Sequence, residues 1–176
     1  FFYLHFLIDG TFFFMLIAYM LKRLRPKIKF QELFYLLMVL GTLLTWFQKL
    51  DYSFDREVIN ILAFTGATMQ LLAGILFLSG LSIKDLSFQL RLILLMLLVR
   101  WVLQLTGSLP LIADLVTSDR YLLIAYLHFL FLGIYTPAIW EAIQIKTSAF
   151  KALITTYWIL FFLTELALVL PSTAQF

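Results

Sequence analysis

The sequence has no cysteine, which excludes disulfides, iron–sulfur clusters and thiolate nucleophiles within these 176 residues and leaves the redox compartment open. Charge is scarce too: 13% of residues are charged, about half the share in a soluble domain. Phosphate-binding glycine loops, a Gly-x-Ser-x-Gly turn and a His-Glu-x-x-His pair are all missing, so the commonest signatures of nucleotide-binding proteins, hydrolases and zinc proteases are absent. No segment between apolar runs is long enough for a soluble catalytic domain, and no catalytic residue is assigned. Glu141 and Glu165 are far in sequence from either histidine, His5 or His128.

What the chain does have is apolar surface. Hydrophobic residues make up 63% of it, with 19 phenylalanines and 18% aromatics, and the mean hydropathy is +0.99. Large rings suit lipid contact and the headgroup boundary. The net charge of +3 does not indicate nucleic acid, because the basic residues concentrate in one short loop. The partner implied is the lipid bilayer, together with other membrane subunits.

A helix needs about 20 apolar residues to cross a ~30 Å hydrocarbon core. Six runs approach that length: residues 1–21, 31–48, 58–80, 88–109, 121–143 and 151–170. They are apolar on all sides, without the alternation of a membrane β-barrel. The expected fold is therefore all-α, a polytopic transmembrane bundle of about six spans forming a single domain over 1–176. Residue 1 already lies inside an apolar run and is not methionine, so the chain reads as part of a longer protein with further helices expected before it. The stretch 110–118 is too short to span and is expected along the outer surface.

Charge orients the bundle. With alternate loops on opposite sides, one side collects Lys22, Arg23, Arg25, Lys27, Lys29, Lys84, Arg91, Lys146 and Lys151, and the other only Lys49, Arg56 and Arg120. The positive-inside rule puts the 22–29 loop in the cytoplasm and both ends of the chain on the outer side. The third run carries Ala63, Gly66, Ala67 and Gly74 at helical spacing, a face expected to pack closely against another helix.

Polar residues within the runs are costly in lipid and so carry information. At ~1.5 Å per residue from the cytoplasmic boundary, Asp9 lies ~20 Å up, His5 ~25 Å, Arg100 ~18 Å, His128 ~20–27 Å and Glu165 ~21 Å, with Gln104 one turn beyond Arg100. Four helices thus place polar groups in the outer half of the membrane, as one polar layer. His5 and Asp9 share a face, as do Arg100 and Gln104. Around His128, Tyr121, Ala125, Leu132 and Tyr135 follow helical spacing. Pro137 cannot donate to the carbonyl of Gly133, which is expected to leave that oxygen free and kink the helix.

Three readings of this layer remain open. In one, His5 and His128 are the axial ligands of a haem, Arg100 or Arg120 pairs with its propionates, and Asp9 orients a histidine through its second ring nitrogen. In another, Asp9, Arg100, Glu165 and the histidines line a path for protons or a substrate, as in a transporter or channel-like subunit. In the third, Arg100 pairs with Asp9 or Glu165 and fixes helix register in a structural subunit.

The stretch Tyr3-Leu4-His5-Phe6-Leu7-Ile8-Asp9-Gly10-Thr11-Phe12-Phe13-Phe14 resembles a His-x3-Asn/Asp-Gly-aromatic pattern at the start of a membrane helix. The stretch from Tyr121 through His128 to Gly133 resembles a second histidine helix of the same type. Both, with Gln104 to Pro110, are similar to an uncharacterised multi-pass family common in Bacteroidetes. More distantly, the two histidine helices resemble subunit I of haem–copper oxidases and the haem- and copper-containing membrane proteins of nitric oxide handling. The resemblance implies a bacterial cytoplasmic membrane, a respiratory or gas-handling role, a b-type haem on His5 and His128, and outer arginines at its propionates. The chain departs from the pattern at Thr11, where tryptophan is usual, and at Asp9, where asparagine is usual. The three further histidines of an oxidase copper site are missing.

Overall fold

The computed structural model describes residues 6–49, 56–143 and 148–173. All secondary structure among the described residues is helical. Helix α1 begins as a π-helix at Phe6–Phe12 and continues as an α-helix over Phe13–Leu24. Helix α2 covers Gln31–Thr45, with a 3-10 turn at Trp46–Lys49. Helix α3 covers Arg56–Ser79 and α4 covers Phe88–Gly107, with a 3-10 turn at Ile83–Asp85 between them. The short α5, Pro110–Ser118, precedes α6, which starts at Arg120–His128, widens to a π-helix over Phe129–Tyr135 and ends at Thr136–Ile143. Helix α7 covers Ser148–Thr173.

Each expected run is helical over most of its described residues, but among the described residues four helices are long and apolar enough to cross a membrane: Glu57–Ser79, Phe88–Gly107, Arg120–Ile143 and Ala152–Leu170. Of the other two runs, the first is described only from Phe6, and the α-helical part of the second has 15 residues before it tightens at Trp46. The 110–118 stretch is a helix of 9 residues, too short to span, and Pro110 occupies its first position, where a missing N–H leaves no bond unmade.

The chain forms two compact units. One comprises residues 1–86 and 97–113, the other 87–96 and 114–176. In the first unit, Phe13, Leu16, Ile17 and Met20 bury one face of α1 at i, i+3, i+4, i+7 spacing. Helix α1 stops where Arg25 turns left-handed (φ 47°) and its N–H donates to Leu21 O at 3.0 Å; Pro26 follows, with no N–H to extend the helix. Helices α2 and α3 touch backbone to backbone. A methyl added at Gly66 would lie 2.7 Å from Gly41 O and 2.8 Å from Thr45 N. The expected small-residue face is therefore a packing face: Ala63 and Ala67 are wholly buried, and the Trp101 ring of α4 lies against Gly74. Phe34 and Phe77 stack with centroids 6.2 Å apart at one end of the α2–α3 contact.

The core is mainly apolar, but it also holds polar side chains while many large apolar ones face outward. The buried set includes Asp9, Thr42, Thr45, Gln70 and Arg100, while Leu36, Leu43, Ile61 and Ile75 are exposed on the outward faces of α2 and α3. That arrangement loses apolar burial in water and suits a hydrocarbon surround, where association depends on close packing and internal hydrogen bonds.

In the second unit, α7 packs on α6 with Trp140 and Tyr157 edge-on at 4.6 Å and the Phe161 ring against Gly133. The π-helix in α6 alters the expected effect of Pro137. Thr136 N–H donates five residues back, to Phe131 O, so the carbonyl that Pro137 leaves without its backbone donor is that of Leu132. The sequence reading placed it at Gly133 by assuming α-helical register. The Tyr157 hydroxyl of α7 donates to Leu132 O at 2.6 Å, and Gln89 donates to Pro137 O at 2.9 Å. The Tyr157 hydroxyl thus replaces the bond that proline removes.

Gly66→Ala should destabilise the protein by about 1–3 kcal/mol, because backbone atoms must move apart to admit the methyl. Gly10→Ala should be nearly neutral, since its added methyl would meet Trp46 Cζ2 at an ordinary 3.4 Å. Unfolding in detergent, followed by circular dichroism, separates the two; equal stability of both variants would contradict the Gly41–Gly66 contact.

Candidate functional site

The first unit contains a connected polar chain. Arg100, on α4, has no exposed surface, and Asp9 is 2% exposed. Arg100 Nη2 donates to Asp9 Oδ1 at 3.1 Å. Asp9 reaches this position because α1 is π-helical there: the wider turn lets Ile8, Asp9 and Gly10 all lie buried in succession, which a regular α-helix would spread over most of its circumference. The guanidinium also lies over the Phe13 ring, 3.9 Å from its centroid, where the ring quadrupole favours a cation.

From Arg100 the chain continues inward. Nη1 donates to Gln70 Oε1 at 3.4 Å. Gln70 Nε2 donates to Thr42 Oγ1 at 2.9 Å and approaches Thr45 Oγ1 at 3.5 Å. The two threonine hydroxyls donate to carbonyls of their own helix, Thr42 to Met38 O at 2.8 Å and Thr45 to Thr42 O at 2.9 Å. The polarity of every link is fixed. Arg100 has only donors, so Gln70 must present its carbonyl to it, and its NH2 must face the hydroxyl oxygens. The chain therefore ties α1, α4, α3 and α2 together within one unit.

Of the expected layer, Asp9 and Arg100 are brought together. Asp9 bonds the Arg100 guanidinium; the contact with His5 that one reading gave it lies outside the described residues. Arg100, expected in the haem reading at a propionate, has its Nη groups directed to Asp9 and Gln70. Gln104 is buried one turn beyond Arg100, as expected, but its Oε1 has no hydrogen-bond partner and joins no network. Ser108, one further turn on, is buried and donates to Leu105 O at 2.6 Å.

Glu165 and His128 belong to the second unit. His128 Nδ1 lies 3.9 Å from Glu165 Oε1, beyond a hydrogen bond, with the imidazole side chain 46% exposed and the carboxylate 17%. Arg120 is exposed at the first position of α6, beside the Asp119 cap that accepts from Tyr121 N–H at 2.8 Å. His5 lies outside the described residues. No cluster of three or more metal-ligating side chains occurs among the described residues.

The sequence reading missed Gln70, Thr42 and Thr45. The signal for Gln70 was present: it falls on the same stripe as Ala63, Gly66, Ala67 and Gly74, at the spacing of that packing face. The threonines gave less sign of their role, because isolated hydroxyls in apolar helices usually bond their own i−4 carbonyl. Comparison with known proteins gives no match to any protein family, any curated protein or any solved structure.

Removing one partner of a buried pair leaves a desolvated charge, whereas removing both can be nearly neutral. Asp9→Ala should destabilise the protein by about 3–5 kcal/mol, and adding Arg100→Met should recover more than half of that loss. A double-mutant cycle of unfolding free energies in detergent measures the coupling. Strictly additive losses would show that the pair does not act as a unit.

Proposed function

We propose that the chain is an integral membrane subunit of six spans, with the basic 22–29 loop in the cytoplasm, and that the Asp9–Arg100 pair locks its helices in register. The observation carrying this reading is the unbroken chain from Asp9 through Arg100 and Gln70 to Thr42, contributed by four helices and buried throughout. Its chemistry suits a lock better than a proton path. Arginine does not deprotonate in proteins, and the Gln70 amide has a fixed donor and a fixed acceptor, so a proton cannot pass along these links in repeated cycles.

The absence of cysteine makes topology directly testable. Single substitutions Ser87→Cys and Ser118→Cys, introduced separately, should be labelled by a membrane-impermeant maleimide from opposite sides of the membrane. Labelling of both from the same side would overturn the six-span arrangement.

A second reading rests on the His128–Glu165 pair. A carboxylate near one ring nitrogen favours the tautomer with that nitrogen protonated and leaves the other basic, which is how ligating histidines are commonly held. The side chain is nearly half exposed, so it has open surface to offer a ligand. These features fit His128 as one axial ligand of a haem, with Arg120 near the propionates. Bound there, haem would supply one-electron transfer or the binding of a diatomic gas. Protein purified from haem-replete cells should then show Soret and α/β bands that are lost in His128→Ala. A fully folded, colourless preparation would remove this reading and leave the register lock intact.

A further inference from the structure

We infer that the turn joining α1 and α2 forms, together with the turn after α3, a binding site for the headgroup of an anionic phospholipid. This inference rests on the membrane reading above.

Lys22 and Arg23 on the last turn of α1, with Arg25, Lys27 and Lys29 in the turn that follows, place five basic side chains together, with no acidic residue between Asp9 and Glu32. All five are exposed. The turn is anchored to its neighbour: Lys27 N–H donates to Gly80 O at 2.9 Å, and a methyl added at Gly80 would come within 3.0 Å of the Lys27 carbonyl. That close approach holds the α1–α2 turn against the turn after α3, where Lys84 adds a sixth exposed basic group. Only Glu32 and Asp85 oppose them in these two segments. The left-handed cap at Arg25 turns the chain out of α1, so Lys22 and Arg23 sit on its last turn and Arg25, Lys27 and Lys29 lie past the helix end.

Apolar anchors among the charges favour a lipid over a soluble anion. Phe30 is 53% exposed and Ile83 54%, and the Lys29 ammonium sits 5.5 Å over the Phe30 ring. A free phosphate ion gains nothing from exposed phenylalanine and isoleucine. A phospholipid presents a phosphate to the basic groups and its acyl boundary to those two side chains. A basic cluster next to a spanning helix attracts anionic lipid by about fivefold per charge.

The test uses the full chain reconstituted in phosphatidylcholine vesicles with and without phosphatidylglycerol, with protein-retained lipid counted by mass spectrometry. Phosphatidylglycerol should be enriched over its bulk share. The Lys22→Gln/Lys27→Gln/Lys29→Gln variant should lose that preference by roughly fivefold per lysine. The corresponding triple change to arginine should keep it, and so should Arg120→Gln. Absence of enrichment, or a glutamine variant as selective as the wild type, would overturn the inference. So would full displacement of the retained lipid by inorganic phosphate, which would make this a soluble-anion site. Protein released from the vesicles by alkaline carbonate would overturn the membrane reading itself, a result distinct from the others.

Discussion

A guanidinium without exposed surface, as at Arg100, must be neutralised and hydrogen-bonded where it lies, because no water can take over either task. That requirement organises the first unit. Arg100 needs a carboxylate, and Asp9 supplies it. Its second Nη needs an acceptor, and Gln70 turns its carbonyl toward it. The Gln70 NH2 then needs acceptors of its own, and the Thr42 and Thr45 hydroxyl oxygens provide them. Each link determines the orientation of the next, so these Nη, amide and hydroxyl bonds are all made in one arrangement of the four helices. Purely apolar packing would allow neighbouring registers of similar energy; a misaligned register here leaves a buried charge unpaired.

Close backbone approach makes the lock possible. Gln70 reaches the α2 threonines because α2 and α3 meet at Gly41 and Gly66, where a methyl on either glycine would collide with the opposing backbone. Helix α1 contributes through a different irregularity, the π-helical turn that brings Asp9 inward. In the second unit a π-helix serves proline accommodation instead. It shifts the carbonyl lacking a backbone donor to Leu132, within reach of Tyr157. Both π segments thus sit where a polar backbone or side-chain group has to meet a partner on another helix, the kind of position where such wide turns recur.

Hydropathy made most of the helices legible. The boundaries expected at 31 and 88 coincide with observed helix starts, because polar residues and turn formers interrupt the apolar runs there. Irregular geometry within the helices was not legible. Nothing in Phe6–Phe12 distinguishes a π turn from an α turn by composition, and the shift from Gly133 to Leu132 follows from hydrogen-bond register alone. Depth arithmetic placed Asp9 and Arg100 at similar heights, and they do pair. It treated Gln70 as one more position on a packing face, because the partner threonines come from a helix whose rotation the sequence leaves undetermined.

The two units differ in how much chemistry they leave available. In the first, the ionisable pair is sealed and its cation is held between a carboxylate, an amide and an aromatic ring. A charge held that tightly gives up pairing energy if it moves, which suits a fixed framework. In the second unit the His128–Glu165 separation is too long for a hydrogen bond and the imidazole is partly open. Only 11% of the Ala152–Leu170 window that carries Glu165 is buried. A carboxylate on so exposed an apolar helix is costly in lipid unless something further covers or neutralises it. The Asp9–Arg100 pair meets that demand within its own unit. The His128–Glu165 pair, 3.9 Å apart, meets it only partly.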